Sequence, residues 1–276
     1  MQHSPRVLRA SALATALAGL LAFATPFTDG LAAGDPPRAD AAVVAVDGSA
    51  RERGSVRPSS AVPVPESSER EPRAGTSVLV EVPLGGLVAR KAPRSSAPEV
   101  GRVVDRSRYY GVRTVAWVEE ISDDGRWGRV ELPYVWPRRD GWVKIAGLRD
   151  DATGIRVEVD LSAHRVTVRR FGAVLFRASV ATGRASSPTP PGEYFVTDRI
   201  PFPSGSAYGS FAFGISGIQP WLPAGWGGGD QLAIHGTNAP WTIGTSASAG
   251  CLRASEATLA KLRPLMRLGT PVVIRP

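Results

Sequence analysis

Residues 155–170 read IRVEVDLSAHRVTVRR. Ile155, Val157, Val159 and Leu161 alternate with Arg156, Glu158 and Asp160, a period of two that sends successive side chains to opposite faces of a strand and marks one face as buried. SAHR (162–165) turns the chain and VTVRR returns it, so the stretch predicts an antiparallel hairpin. Downstream, AVLFRASVATG (173–183) follows a turn near Gly172, and PTPPGEYFVTDRI (188–200) begins another strand after its prolines. SEATLAKLRPLMRL (255–268) places Leu259, Leu262, Leu265 and Met266 at helical spacing, with Ser255 as N-cap and Gly269 as the stop. TPVVIRP (270–276) closes the chain as a last strand. Between these elements, residues 200–230 are rich in Gly, Pro and Trp and read as a long surface excursion. Its Tyr208, Trp221 and Trp226 fit the wall or lid of a cleft, and fit core packing equally well.

Upstream, from Thr76, short strand patterns recur: SVLVEVP, GLVARKA, EVGRVVD, YYGVRTVAWVEE, RWGRVELP and DGWVKIAG, broken by Gly, Pro, SDDG and RRDG. Many short strands at close spacing predict a small β-barrel over 76–150. The pairing of APRSSAPEVGRV with the later GRWGRVELP and DGWVKIAGL resembles bacterial SH3-like domains, which implies contacts to wall glycan or peptide; Trp127 and Trp142 read as ligand contacts or as core aromatics. Residues 34–75 are rich in Pro, Ser, Ala and charge and read as a disordered linker. Residues 1–33 read as a signal peptide: Arg6 and Arg9 precede the apolar run SALATALAGLLAFA, followed by small-residue cleavage sites at Ala22-Phe23-Ala24 or Gly30-Leu31-Ala32. The rival is an uncleaved membrane anchor, but Thr25, Pro26 and Asp29 interrupt the run before the ~20 apolar residues that spanning prefers. The expected location is therefore outside the membrane, in periplasm or cell wall, with membrane attachment only if this segment is retained.

The chain of 276 residues carries a net charge of +8, and loss of residues 1–33, with two Arg and one Asp, leaves +7. Such a charge draws an exported protein toward anionic envelope polymers. No nucleic-acid partner is expected: the only lysines are Lys91, Lys144 and Lys261, the arginines are scattered, and no nucleic-acid motif occurs.

Export also makes the cysteine count informative. One cysteine, Cys251, cannot form an intrachain disulfide, which leaves a free thiol, an intermolecular link or a nucleophile. A structural zinc site is out of reach, because beyond the signal only Cys251, His164 and His235 could serve as N or S ligands; neither metal nor cofactor is expected. A thiol becomes a competent nucleophile when an imidazole within hydrogen-bond reach takes its proton. His164 sits in the SAHR turn, whereas His235 ends QLAIHG, an apolar strand running into a glycine turn, and is the expected base. Around the thiol, Gly250 lets backbone approach a substrate carbonyl, the amides of Ala249, Gly250 and Cys251 converge on an oxyanion, Ser248 bonds the loop or the imidazole, and Arg253 offers a planar fork to a substrate carboxylate.

The stretch IHGTNAPWTIGTSASAGCLRAS (234–255) is similar to the signature of the L,D-transpeptidase catalytic domain, in which His-Gly-Thr precedes Ser-X-Gly-Cys-X-Arg by about this interval. IRVEVDLSAHRVTV, ATGRASSPTPPGEYFVTD, YGSFAFGISG and GGGDQLAIHGTN follow that family in order, so the resemblance covers roughly 154–276, within an expected catalytic domain at 151–276. It implies a β-sandwich-like fold with one C-terminal helix and, for the whole chain, a mainly β architecture. It implies Cys251 as the acylated nucleophile, His235 as its base, Gly236 as the carbonyl that orients the imidazole, Gly250 and Ala249 in the oxyanion loop, and Ser248, Arg253 and Thr237 at polar, substrate-binding positions. Many members carry His or Arg where this chain has Ala249. The implied reaction is attack on the bond before D-alanine in a peptidoglycan stem tetrapeptide, followed by resolution with a second stem's amine to a 3→3 cross-link, or with water as an L,D-carboxypeptidase.

Overall fold

The structure, a computed structural model, describes residues 74–203 and 205–276, which are built from two successive sets of strands. The signal peptide read at 1–33 and the linker read at 34–75, up to residue 73, lie outside the described residues. The first set comprises β1 (Ser77–Glu81), β2 (Leu87–Arg90), β3 (Glu99–Val103), β4 (Val115–Val118), β5 (Glu120–Ile121), β6 (Trp127–Glu131), β7 (Asp140–Lys144) and β8 (Asp150–Thr153). They form a five-stranded sheet in the order β3-β2-β7-β6-β5 and a three-stranded sheet in the order β4-β1-β8. Their apolar residues, among them Leu79, Val80, Ala89, Val103, Trp117, Val130 and Val143, share one core. Trp127 is buried, as a core aromatic is, while Trp142 is half-buried on β7. Strand β8, sequence DDAT, carries no apolar pattern and is held by pairing with β1. The expected boundary between 150 and 151 falls inside it, and the chain passes to the second set at Gly154.

The second set comprises β9 (Ile155–Asp160), β10 (Arg165–Arg170), β11 (Ala173–Gly183), β12 (Gly192–Pro201), β13 (Phe211–Ile218), β14 (Gln231–His235), β15 (Ser246–Ser248), β16 (Leu252–Ala254), the helix α1 (Glu256–Leu262) and β17 (Pro271–Arg275). The hairpin expected at 155–170 forms, with Val157 facing Val168 and Val159 facing Val166 across β9 and β10. The sandwich expected here is instead a closed barrel. The sheet runs β10-β9-β17-β12-β13-β14-β16-β11, and β11 returns to pair with β10. The length of β11 is the cause: its first half pairs with β10, Val180 and Ala181 pair with β16, and its end pairs in parallel with β15. Eight strands leave an interior that side chains just fill, and Val157, Val166, Phe213, Ile234 and Leu252 fill it.

Helix α1 packs Leu259 and Leu262 onto this core together with Met266 beyond its end. Ser255 caps it as expected, its hydroxyl accepting from the Thr258 amide at 3.2 Å. The helix stops before Pro264 rather than running to Gly269, since proline has no amide to continue the ladder. The excursion expected over 200–230 is two loops, because FAFGISGI between them is strand β13, buried from Phe211 to Gly217.

Strands β12 and β17 wall both cores. On β17, Val272 and Ile274 face the barrel interior and Val273 faces the N-terminal core. On β12, Tyr194 and Val196 face the barrel and Phe195 the N-terminal core. A strand with apolar neighbours on both faces loses the alternation of β9 and becomes a continuous apolar run, as PVVIR and EYFVT show.

Candidate active site

Strand β14 delivers His235 at its end, and β16 begins just after Cys251; the two strands pair in parallel, with His235 opposite Arg253. Cys251, His235 and Arg253 line one cleft of about 270 Å³. His235 is 5% exposed, and its Nδ1 lies 2.5 Å from the Gly236 carbonyl. A carbonyl only accepts, so Nδ1 carries the proton and Nε2 presents a lone pair. Gly236 must be glycine: a Cβ there would stand 2.5 Å from Glu256 Oε1 and 2.8 Å from Gly209 Cα.

Electrostatics keep the resting pair neutral. Burial pulls the imidazole down to about 4, partly countered by the hydrogen bond to Gly236 and helped by the Arg253 charge. Burial pushes the Cys251 thiol above its ordinary value, against the opposing pull of a backbone hydrogen bond from Ala233 and the charge of Arg253. The thiol points at the Gln231 carbonyl at 3.9 Å. Both shifts favour the uncharged forms, thiol and free imidazole.

The loop before the thiol is held from behind. Gly250 has φ +122°, and a Cβ on it would meet Gln219 Nε2 at 2.0 Å. That Gln219 amide donates to the carbonyls of Ala249 (3.0 Å) and Pro188 (2.9 Å), and Thr189 Oγ1 donates to the Gly250 carbonyl at 2.7 Å. Ser248 braces the same turn: its hydroxyl donates to the Cys251 carbonyl at 2.6 Å and accepts from the Gly250 amide at 3.0 Å.

These contacts bear on three expectations. Ser248 bonds the loop and not the imidazole, the Gly250 amide is already engaged, and only the amides of Ala249 and Cys251 remain as oxyanion donors on this turn. Thr237 accepts from the Ala239 amide at 3.0 Å and shapes a turn outside the cleft lining. His164, the other imidazole, lies 3.1 Å from Thr182 Oγ1 and lines no part of the cleft.

Sequence reasoning missed the support around the base. Tyr208 packs edge-on against His235, ring centroids 4.9 Å apart, with Phe202 stacked behind it at 5.0 Å. Glu256, in the first turn of α1, accepts from the Ser210 amide at 3.0 Å and from its hydroxyl at 2.5 Å, pinning the loop that carries Tyr208. Tyr208 lines the cleft, one of the two places the sequence allowed it, whereas Gln219 and Glu256 sit in no local motif, so nothing in a one-dimensional pattern singles them out. Among the described residues no group of three or more His, Cys, Asp and Glu side chains is placed to hold a metal ion, and no helix is long and apolar enough to cross a membrane.

Residues 154–274 match the sequence profile of the L,D-transpeptidase catalytic domain (YkuD). The YkuD protein of Bacillus licheniformis is 27% identical over 175 residues, spanning 60% of this chain and 98% of its own length. That of Bacillus subtilis is 28% identical over 133 residues, 48% of this chain and 73% of its own. Among solved structures, an L,D-transpeptidase from Mycobacterium tuberculosis H37Rv is 17% identical, with 60% of this chain and 91% of that chain covered at a TM-score of 0.39. One from Enterococcus faecium is 20% identical, with 44% and 50% covered at a TM-score of 0.34, so the chain spans half of it.

Proposed function

We propose that the protein is a cysteine-dependent L,D-transpeptidase that joins peptidoglycan stem peptides by 3→3 cross-links. One observation carries the reading: a neutral imidazole, tautomerically fixed by Gly236 with Nε2 open, shares a cleft with the chain's single thiol. Nε2 of His235 takes the Cys251 proton as sulfur attacks the carbonyl before D-alanine. The amides of Ala249 and Cys251 meet the oxyanion, and Arg253 takes a stem carboxylate. The imidazolium returns its proton to the leaving amine, D-alanine departs and a thioester remains. A stem amine then attacks, giving its proton to His235 as the C–S bond breaks and the thiol is restored.

Burial favours the neutral thiol, so in this reading proton transfer to the imidazole accompanies attack, and the base is available wherever the imidazole is neutral. A water molecule in place of the amine gives an L,D-carboxypeptidase, favoured if the absence of a charged side chain at Ala249 weakens the hold on the acceptor. The reading extends to place: an exported, basic protein, its N-terminal strands an SH3-like module in contact with wall glycan or peptide, working in periplasm or cell wall.

Incubation of the purified protein with disaccharide-tetrapeptide tests this. Loss of D-alanine with a new dimer, absent for Cys251→Ala, is the expected result. Loss of D-alanine without dimer assigns the carboxypeptidase, and no change with wall fragments still bound assigns a non-catalytic binding protein.

A further inference from the structure

The N-terminal strands contribute to the cleft itself. The loop between β3 and β4 sends Tyr109 and Tyr110 into the lining that Cys251 and His235 also form. We infer that Tyr110, held in place by this loop, is a binding residue for the peptide part of the acyl donor, so that the active site is completed by the N-terminal module. The inference rests on the acyl-transfer reading above.

The loop is fixed at several points. Ser107 Oγ donates to the buried carboxylate of Asp198 at 2.5 Å, and the Val112 amide donates back to that hydroxyl at 3.1 Å. Arg108 pairs with Asp230 at 3.2 Å and donates to the Tyr134 carbonyl at 3.0 Å. Tyr109 donates its phenol to Asp230 at 2.6 Å and accepts from the Asp230 amide at 3.2 Å. Asp198 in turn accepts from Gln231 Nε2 at 2.9 Å, on the residue whose carbonyl faces the Cys251 thiol. Loop, barrel strand and nucleophile are therefore joined by side chains that are already paired.

Tyr110 differs from its neighbour. Its hydroxyl makes no hydrogen bond among the described residues, and the residue is 51% exposed although it lines the cleft. An aromatic ring left half-open on an anchored loop costs little entropy to use as a contact surface. It lies in the cleft that must receive the scissile peptide bond, and its face and hydroxyl suit the planes and polar edges of amides. That proximity favours the peptide over the sugars, which lie farther along the stem from the reacting bond.

The test uses the full chain with Tyr110→Ala and Tyr110→Phe, on free tetrapeptide and on disaccharide-tetrapeptide. For Tyr110→Ala, KM should rise about tenfold on both substrates, with kcat within about twofold, an unchanged melting temperature and unchanged alkylation of Cys251 by iodoacetamide. Tyr110→Phe should recover most of the loss. An unchanged KM, or a rise confined to the disaccharide substrate, overturns the inference. Should the wild type turn over neither substrate, the acyl-transfer reading fails on its own, and calorimetry of free tetrapeptide with Cys251→Ala and with Cys251→Ala/Tyr110→Ala still decides. Weaker binding by the double variant upholds the contact; equal binding, or none by either, overturns it.

Discussion

At the scale of single residues, burial decides the charge of the two groups on which the proposed chemistry rests. Burial disfavours charge on both His235 and Cys251, so the cleft they line favours a neutral thiol and a neutral imidazole. His235 has a folded value of about 4 against 6.5 when unfolded. Between these values the unfolded chain binds a proton that the folded chain refuses, so stability is full above pH 6.5 and falls as pH drops toward 4, by roughly 3 kcal/mol. Denaturant unfolding across that range should show the decline, and His235→Gln should remove it; a parallel decline in the variant would assign it to other groups. Alkylation of Cys251 should accelerate only at pH above the ordinary thiol range, and a midpoint near 6 would instead reveal a thiolate–imidazolium pair. Gly250→Ala forces a side chain into the Gln219 amide at a left-handed φ. Turnover should fall at least tenfold with about 1–3 kcal/mol of stability, and near-wild-type kinetics would show that the turn is not held as described.

At the scale of elements, α1 links the fold to the base. Ser255 caps the helix, and Glu256 in its first turn holds Ser210, whose loop brings Tyr208 against His235. Ser255→Ala should cost about 1 kcal/mol in thermal unfolding. Glu256→Ala, losing two hydrogen bonds of about 1 kcal/mol each, should in addition lower kcat severalfold while Glu256→Gln recovers part of it; equal kcat in all three would remove Glu256 from the support of the site. The helix, its cap and the β9–β10 hairpin were legible because their signals are local: a period, a capping serine, a turn. The alternation at Ile155, Val157 and Val159 says that β9 has one buried face, but not whether its sheet closes. Closure depends on β11 pairing with β10 at one end and β16 at the other, a contact between residues about seventy positions apart. The shared apolar run of β12 hides its two faces for the same reason. Cys251 and His235 stand out in the sequence by residue type and context, and the fold brings both to one cleft, whereas Gln219 and Glu256 act through packing that no spacing encodes.

At the scale of the whole molecule, β12 and β17 make the two cores interdependent. Phe195 and Val273 fill the N-terminal core from strands that belong to the barrel, and the described residues form one compact unit. Phe195→Ala should cost about 3–5 kcal/mol and lower the melting of both parts in a single transition; two separate transitions in calorimetry would show that the halves fold independently. The same junction carries the loop of Tyr109 and Tyr110 to the cleft, so integrity of the N-terminal strands and recognition of substrate are tied together. The central claim remains that Cys251 becomes acylated by a stem peptide. Intact-protein mass spectrometry after rapid acid quench with tetrapeptide tests it most directly. The account predicts a thioester adduct mapped to Cys251, absent in Cys251→Ala and strongly slowed in His235→Ala. Release of D-alanine by Cys251→Ala, or an adduct on any other residue, would contradict it.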